Sequence, residues 1–504
     1  MLINSSFNSF ASYAVSACVR PYYLHNYFMF QSWQKGLRSM EESKKQSLFV
    51  AQLKDTIEEK KKRLGRPVRY HITTMGCQMN ARDSEKLSGI LAEIGCEEIP
   101  TEDADILLFN TCTVRENANE KLYGHLGIVK HFKKLNPDML IGICGCMMQE
   151  KDEVLRIQKK YRFVDLVFGT HNIWKFPELL YAVEAENQRV IDTAEERNGF
   201  RDHMPARRKI WFKSGVNIMY GCNNFCTYCI VPYVRGREQS REAADIVREV
   251  KALVEDGVKE IMLLGQNVNS YGKGLSNGET FASLLEQVCA VEGLERVRFM
   301  TPHPKDLSDE LIQVIKRNPK ICRHIHLPLQ SGSSKILRRM NRRYTKESYL
   351  ALVDKIRREL PEVGLTTDII VGFPGETEED FQDTLEVVSR AGYQAAFTFI
   401  YSKRSGTPAA EFEDQVPEDV VADRMQRLIA LVQQFASKAA DRDEGKVEPV
   451  LVEEVNPQRA GYVTGRLSNN LMVHFPGDES LIGQVVPVLL TESKGFYYMG
   501  ERRD

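Results

Sequence analysis

Short apolar runs alternate with helical patterns from Val68 onward. The runs "VRYHITTMGC", "DILLFNTC", "MLIGICGCMM" and "VDLVFGTH" predict strands, and each precedes a helix candidate such as "NARDSEKLSGILAEIG". Strands that alternate with amphipathic helices predict a parallel sheet that is covered on both faces. We therefore predict an α/β domain with a flavodoxin-like parallel sheet over residues 68–186.

A second series of apolar runs begins at Trp211. Six of them predict strands, from "WFKSGVNIMYGC" and "KEIMLLGQNV" to "GLTTDIIVGFPG" and "AAFTFIYSKR", and helical patterns separate most of them. Six strand–helix units predict a partial TIM-like (βα)6 barrel over residues 208–440. Ligands of such a barrel bind at the carboxyl ends of its strands.

The pattern changes at both ends of the chain. Residues 441–504 hold four or five short strand patterns between Gly, Pro and Asn turns, which predicts a small OB-like β-barrel. In residues 1–66, a stretch without periodicity precedes a charged, partly helical segment, and we predict a poorly ordered extension. Met40 is the expected true start, so residues 1–39 are expected to be dispensable.

Composition and charge narrow the class of protein. A net charge of −1 gives no overall basic signature, so a nucleic-acid surface would be a local patch. The chain has no run of about 18 apolar residues, so we expect no membrane span. Eleven cysteines without a secretory signal pattern indicate a reducing compartment, and we predict a cytoplasmic protein.

Three cysteines lie close together in "CNNFCTYC", namely Cys222, Cys226 and Cys229. Thiolates favour zinc or iron–sulfur clusters, and a structural zinc site takes four protein ligands. A four-iron cluster on three cysteines keeps one iron free for a substrate or cofactor. The alternatives are a zinc knuckle without its fourth ligand and a structural cluster. The position after the first barrel strand favours a catalytic cluster.

Three further cysteines each follow a predicted strand of the first domain, namely Cys77, Cys112 and Cys146. The carboxyl ends of parallel strands share one edge of the sheet, so these thiols would converge. The alternative is that all three are buried as small hydrophobic residues, as we expect for Cys96 and Cys144. Spacing alone leaves the choice between Cys144 and Cys146 open.

Together the motifs resemble the radical S-adenosylmethionine methylthiotransferases, in particular the branch that acts on tRNA. Besides "CNNFCTYC", the resemblance rests on "TTMGCQMNARDSE", "NTCTVRENA", "GCMMQ", "CIVPYVRGRE", "GQNVNSYG", "LPLQSGS", "TDIIVGFPGET" and "YSKRSGTPA", and it covers residues 68–504. It implies two 4Fe-4S clusters, whose ligands would be Cys222, Cys226 and Cys229 for the cluster that binds S-adenosylmethionine, and Cys77, Cys112 and Cys146 for an auxiliary cluster. This implication favours Cys146 over Cys144.

The resemblance also points to contacts for S-adenosylmethionine at strand ends. The candidates in "LLGQN", "PLQSGS" and "DIIVGFPGE" are Gln266, Asn267, Gln330, Ser331, Asp368 and Gly372. Each polar side chain has an alternative role in local loop bonds, capping or a core network. A glycine would allow the backbone to approach the adenine closely. No residue is singled out as a catalytic acid, base or nucleophile.

Residues 441–504 resemble the TRAM domain of this family. Barrels of this kind often bind RNA through aromatic side chains and local positive charge. The candidate RNA-binding residues are Arg459, Arg466 and Lys494, which would have to cluster because the segment is not basic overall. RNA binding is therefore implied mainly by the resemblance.

The implied activity is radical methylthiolation of C2 of N6-isopentenyladenosine at position 37 of tRNA, next to the anticodon. S-adenosylmethionine would be both methyl donor and radical source. The implied partners are this tRNA, an electron donor such as flavodoxin or ferredoxin, and an iron–sulfur or sulfur donor; we expect a monomer. The alternatives are the same chemistry on threonylcarbamoyladenosine in tRNA or on a ribosomal protein aspartate. An alternative of another class is a non-catalytic metal-binding RNA-binding protein.

Overall fold

The computed structural model describes residues 20–114, 116–194 and 204–503, and it describes only the backbone of residues 20–40 and 116–118. The whole segment expected to be dispensable, residues 1–39, therefore lies outside the described side chains. Among the described helices, none is both long and apolar enough to cross a membrane.

A six-stranded parallel sheet forms the first domain, in the order β2-β1-β3-β4-β5-β6. Its helices and strands are α1 (Arg20–Leu64), β1 (Arg69–Thr74), α2 (Gln78–Glu93), β2 (Glu97–Glu98), β3 (Ile106–Thr111), α3 (Glu116–Leu135), β4 (Leu140–Gly145), α4 (Lys151–Lys160), β5 (Leu166–Phe168), α5 (Phe176–Glu184) and β6 (Val190–Asp192). Every residue of β3 and β4 is buried, as expected for central strands with helices on both faces. The predicted parallel sheet is confirmed.

Helix α1 differs from the poorly ordered extension expected over residues 1–66. Its C-terminal part packs on α5. Leu53 and Ile57 are buried there, and Lys60 forms a buried ion pair with Glu184 at 2.7 Å. The apolar contact face is short and lies in a strongly charged segment, so periodicity alone does not reveal it.

Six parallel strands form the second domain as two sheets, β7-β10-β11 and β12-β13-β14. A parallel bridge between Val297 and Ile321 joins them. The elements are β7 (Lys213–Asn217), β8 (Met219–Tyr220), α6 (Val231–Arg235), β9 (Gln239–Ser240), α7 (Ala243–Glu255), β10 (Glu260–Leu264), α8 (Phe281–Cys289), β11 (Arg296–Phe299), α9 (Asp309–Arg317), β12 (His324–His326), α10 (Ser334–Arg339), α11 (Lys346–Glu359), β13 (Gly364–Val371), α12 (Glu378–Ala391), β14 (Ala395–Ile400) and α13 (Glu418–Asp441). Among the described residues, no ladder joins β14 to β7, so the barrel is partial.

Three helices of this barrel begin at a threonine cap. Thr280, Thr345 and Thr377 each accept a hydrogen bond from the backbone N–H three residues later, and the side chain at that position bonds back to the cap. These reciprocal caps satisfy N–H groups that a helix terminus otherwise leaves without partners. They define the starts of α8, α11 and α12.

A closed five-stranded barrel forms the third domain, in the order β15-β16-β17-β19-β18. Its strands are β15 (Val447–Val455), β16 (Tyr462–Arg466), β17 (Met472–Pro476), β18 (Val485–Ser493) and β19 (Tyr497–Arg502). Closure pairs each strand on both sides, and the interior is apolar, with Val463, Phe475 and Tyr498 fully buried. The predicted small β-barrel is confirmed.

The closed β-barrel docks at the N-terminal ends of the (βα)6 strands. Arg298 of β11 donates to the carbonyl oxygen of Leu467 at 2.7 Å and pairs with Glu260 at 2.9 Å. Lys213 of β7 bridges Glu260 and Glu453. Burial would raise the pKa of Glu260, but the charges of Arg298 and Lys213 lower it to about 2. The opposite ends of the strands remain for ligands.

Candidate cluster and cofactor site

Cys222, Cys226 and Cys229, called here the first cysteine set, lie on the loop between β8 and α6. The loop begins at Gly221, whose φ is 74°. A Cβ at that position would lie 2.1 Å from the carbonyl oxygen of Arg237. Only glycine allows this close approach, which brings the start of the loop against the segment that follows α6.

Bonds from neighbouring segments hold the backbone of this loop. The side-chain amide of Asn341 donates to the carbonyl oxygens of Asn224 and Phe225, at 3.1 and 2.9 Å. The hydroxyl of Thr227 donates to the carbonyl oxygen of Arg339 at 2.9 Å. The cysteines therefore project from a backbone that the barrel itself positions.

Burial governs the protonation of the first cysteine set. It raises the pKa of Cys222 to about 11 and that of Cys229 to about 12. The buried guanidinium of Arg342 lies 3.7 Å from the sulfur of Cys226. Protonated thiols become ligands when metal ions displace the protons, so the site needs bound cations to hold thiolates at neutral pH.

Cys77, Cys112 and Cys146, called here the second cysteine set, lie one to three residues after the ends of β1, β3 and β4. The side-chain oxygen of Asn80 lies 3.9 Å from the sulfur of Cys77 and 3.7 Å from that of Cys146. A Cβ at Gly76 would lie 2.8 Å from the sulfur of Cys112. The sheet topology thus brings three sequence-distant thiols to one edge.

Asn80 is buried and holds two of these strand ends together. Its amide nitrogen donates to the carbonyl oxygens of Met75 and Thr111, at 2.9 and 2.8 Å. These bonds aim its oxygen towards the second cysteine set. Sequence analysis did not single out Asn80, although it lies within the motif "TTMGCQMNARDSE".

The structure distinguishes Cys146 from the two cysteines expected in the core. Burial, together with the nearby thiols of Cys77 and Cys112, raises the pKa of Cys146 to about 12 against the opposing charge of Arg235. Cys144 packs among the apolar side chains between the sheet and its helices, as does Cys96. Of the two cysteines at the end of β4, Cys146 is therefore the one that lies with the second set.

The donor chemistry of both sets fits a four-iron cluster. Each set offers three soft sulfur ligands, which iron–sulfur clusters prefer, and leaves a fourth corner without a cysteine. Among the described residues, no group of three or more His, Cys, Asp or Glu side chains is arranged to hold a single metal ion.

Helix α6 connects the two cysteine sets. It begins two residues after Cys229 and ends at Arg235, whose Nε donates to the sulfur of Cys146 at 3.2 Å. The Nη2 of Arg235 donates to Asn80 at 2.7 Å and pairs with Asp83 at 3.3 Å. Sequence analysis missed this arginine; the available signal was a charged residue in the otherwise apolar "CIVPYVRG".

The six candidate contacts for S-adenosylmethionine lie on or after strands of the (βα)6 barrel. Two of them keep polar atoms available. The side-chain oxygen of Gln266 is buried without a partner among the described residues. Asp368 is partly exposed, and its carboxylate lies 3.3 Å from Nε2 of His326. These two residues have the clearest capacity for a polar ligand.

Three of the other candidates serve the local fold. Asn267 is buried and donates to Asp306 at 2.9 Å. The hydroxyl of Ser331 accepts from the backbone N–H of Ser333 at 3.2 Å. Gly372, with φ of 74°, donates its N–H to the carboxylate of Glu376 at 2.9 Å.

Gln330 occupies a special backbone position. Its φ is 68°, and a parallel bridge joins it to Ile369 of β13. Non-glycine residues rarely adopt such a conformation, and they cluster at ligand sites when they do.

The candidate RNA-binding residues each have a different neighbour. The guanidinium of Arg459 stacks 3.7 Å from the ring of Tyr462. Arg466 pairs with Glu453 at 2.9 Å, at the contact with the (βα)6 barrel. Lys494 pairs with Glu492. Within the described part of the chain no contact joins the three, so they do not form one cluster.

Sequence comparison matches three families over separate parts of the chain. The Radical SAM superfamily matches residues 216–388 and includes the first cysteine set. The uncharacterized protein family UPF0004 matches residues 69–169 and includes the second set. The TRAM domain matches residues 441–501.

Curated relatives named tRNA-2-methylthio-N(6)-dimethylallyladenosine synthase match almost the whole chain. The one from Lachnoclostridium phytofermentans is 59% identical, over 90% of this chain and 99% of its own. Those from Thermoanaerobacter pseudethanolicus and Acetivibrio thermocellus are 51% and 50% identical, over 92% and 90% of this chain and 97% and 95% of their own.

A solved structure resembles this fold at low sequence identity. It is a radical S-adenosylmethionine methyltransferase from Kitasatospora setae with cobalamin and a 4Fe-4S cluster bound. The TM-score is 0.50 at 15% identity, over 68% of this chain and 77% of the other. This likeness supports the fold alone.

Proposed function

This chain belongs to the family of tRNA-2-methylthio-N(6)-dimethylallyladenosine synthases, and we propose that it methylthiolates C2 of N6-isopentenyladenosine at position 37 of tRNA. The observation that carries the proposal is that α6 connects the two cysteine sets: it starts beside the first set and ends at Arg235, which contacts Cys146 of the second. A reaction that needs both a radical source and a sulfur carrier requires two such centres side by side. The identities of 50–59% do not favour the alternative substrates or a non-catalytic RNA-binding protein.

In this proposal the first cysteine set holds the 4Fe-4S cluster that binds S-adenosylmethionine, and the second set holds an auxiliary 4Fe-4S cluster. When bound, these groups supply radical and methyl-transfer chemistry at the first site and sulfur at the second. The protein positions the thiols through Asn341 at the first set and Asn80 at the second. Gln266 and Asp368 offer polar contacts towards the cofactor.

Strand β14 offers an apolar surface for the modified base. Phe397 and Phe399 alternate along the strand and are 55% and 47% exposed. They pair in register with Asp368 and Ile370 of β13, and the Phe397 ring meets that of His326 at 5.9 Å. This face is opposite to Ala396, which packs on the helices, and it therefore points into the barrel.

We assign the dimethylallyl group of the substrate to this face, because both are apolar and the face adjoins the candidate cofactor residues. Phe397→Ala with Phe399→Ala should raise KM for isopentenylated tRNA about tenfold, the effect of one or two lost apolar contacts. Cofactor cleavage without tRNA should stay unchanged. An unchanged KM would place the substrate elsewhere.

We place the tRNA contact outside the (βα)6 barrel on the closed β-barrel. Arg459 beside Tyr462 forms a cationic and aromatic pair that suits an RNA backbone and base. Arg466 is committed to Glu453 and contributes less. The proposal also includes an electron donor such as flavodoxin or ferredoxin, an iron–sulfur or sulfur donor, and action as a cytoplasmic monomer.

Nucleoside analysis tests the proposed activity directly. Isopentenylated tRNA from a strain without this activity is incubated with the reconstituted protein, S-adenosylmethionine and a reductant. Mass spectrometry of the digested tRNA should show the isopentenyladenosine converted to its 2-methylthio form. A protein that contains zinc without iron and sulfide, or a modified threonylcarbamoyladenosine, would contradict the proposal.

A further inference from the structure

Arg235 and Asp83 form a buried pair beside the second cysteine set, and each keeps one polar atom without a partner. Arg235 is 4% exposed, and its Nε and Nη2 are engaged with Cys146, Asn80 and Asp83. Its Nη1 has no partner among the described residues, and neither does Oδ1 of Asp83. Buried N–H donors of a charged group are rarely left unpaired, so the vacant donor indicates a ligand.

The first cysteine set provides the contrast. Arg342 is equally buried, but all three of its nitrogens have partners: Nε donates to Tyr344, Nη2 to the carbonyl oxygen of Pro328 and Nη1 to the sulfur of Cys226. None of the three nitrogens of this guanidinium lacks a partner. The difference shows that burial of an arginine beside cysteines does not by itself leave a donor vacant in this fold.

We propose that Arg235 binds an anionic sulfur ligand, hydrosulfide or methanethiolate, at the second cysteine set. The ligand class follows from the donor: a cation in a dry, sulfur-lined site favours a small anion. The inference rests on the proposed function, which requires sulfur to be carried at this set. Arg235 holds the ligand through Nη1 while Nε keeps Cys146 in place.

Asp83 gives this role an electrostatic signature. Its carboxylate lies 3.3 Å from Nη2 of Arg235 and opposes a bound anion. Removal of the Arg235 charge should weaken anion binding, and removal of the Asp83 charge should strengthen it. A merely structural pair would behave differently, because either change breaks the same buried contact and would loosen the site in the same direction.

The test is a titration of the reconstituted full-length protein with sodium methanethiolate under anaerobic conditions. The first cysteine set is replaced by Ala, so that the electron paramagnetic resonance signal comes from the second cluster alone. Arg235→Gln should weaken the apparent affinity about tenfold or more, the effect of one charge-assisted hydrogen bond. Arg235→Lys should weaken it less, and Asp83→Asn should tighten it. Arg342→Gln is the matched control and should leave the affinity unchanged.

The outcomes separate this inference from the proposed function. A second-cluster signal with unchanged affinity in Arg235→Gln would overturn the inference alone. Equal weakening by Arg235→Gln and Asp83→Asn would also overturn it, because it would indicate a structural role. Absence of any cluster signal in the parent protein would overturn the assignment of the second set itself. If Arg235→Gln loses its iron, the test rests on the other two variants: Arg235→Lys should weaken the affinity for methanethiolate, and Asp83→Asn should tighten it.

Discussion

The two cysteine sets are built in different ways. The first lies on one loop, within eight residues, and one amide side chain, that of Asn341, fixes its backbone. The second collects thiols from three strand ends between residues 77 and 146, and a residue of the other domain, Arg235, completes it. A local site is encoded by spacing, whereas a distributed site depends on sheet topology and domain docking.

The largest expected effect separates the chemistry of the sets. Replacement of Cys222, Cys226 and Cys229 by Ala should abolish S-adenosylmethionine cleavage and all products. Replacement of the second set by Ala should keep cleavage measurable and eliminate methylthiolation, with a loss of about one four-iron cluster per protein. Cleavage assays, product analysis and iron content check both.

Cys144→Ala is the matched control for the second set, because Cys144 lies two residues from Cys146 but packs in the apolar core. It should keep both clusters. Methylthiolated tRNA at the wild-type rate from the second triple variant would show that the sulfur site lies elsewhere.

A substitution far from both cysteine sets should change the iron content of the two sets equally. Arg298→Met leaves the buried carboxylate of Glu260 without its main partner and should lower the free energy of unfolding by about 3–5 kcal/mol. Denaturant unfolding measures this loss, and iron content should stay in the same ratio between the sets. The double change Arg298→Met with Glu260→Gln should recover part of the stability.

The contact between Arg298 and the closed β-barrel limits what removal of that barrel can show about tRNA binding. Removal of residues 441–504 would expose Arg298 and Glu260 as well as remove the proposed RNA contact. We therefore expect a less stable barrel in addition to weaker tRNA binding, and unfolding must be measured beside affinity. Arg459→Ala is the cleaner variant: it should weaken tRNA binding and its salt dependence while stability stays unchanged.

Two asparagines allow the sets to be loosened one at a time. Asn80→Ala leaves the carbonyl oxygens of Met75 and Thr111 without their donor and should cost about 2–4 kcal/mol. It should lower iron retention at the second set only. Asn341→Ala should do the same at the first set, with added strain because its φ is 57°. Equal iron loss from both sets in either variant would argue against separate anchoring.

The smallest expected effect is a pH dependence at the first set. Burial raises the pKa of Glu376 to about 7, against the Gly372 N–H and the charge of Arg424. Stability from the protonated carboxyl is therefore fully present below about pH 4.5 and is lost as pH rises through about 7. Phe373 packs with Tyr228, and Tyr228 stands in the sequence between two cysteines of the first set. We therefore expect the first set to loosen at alkaline pH.

Glu376→Gln removes this titration, so the free energy of unfolding of the variant should change less between pH 5 and pH 8 than that of the wild type. Thermal unfolding at the two pH values measures it. Glu378→Gln is the control: hydrogen bonding to Arg427 lowers the pKa of Glu378 to about 2, so its contribution disappears only in acid. Identical pH profiles for wild type and Glu376→Gln would contradict the assignment.

Sequence alone predicted the parts of this protein that depend on local order. The alternation of apolar runs and helical patterns predicted the parallel sheet, the barrel and the closed β-barrel, because strand and helix periods are written residue by residue. Spacing singled out the first cysteine set. It did not decide between Cys144 and Cys146, since both lie within two residues of one strand end.

Only the tertiary structure decided which side chains complete each site. Arg235, Arg342 and Asn80 acquire their roles from contacts between segments that are distant in the chain, and no local period marks such contacts. The same holds for Arg298, which meets the closed β-barrel, and for α1, whose few apolar residues find their partners on α5. Periodicity determines which elements form; packing between them determines which charges become buried, and buried charges must find specific partners.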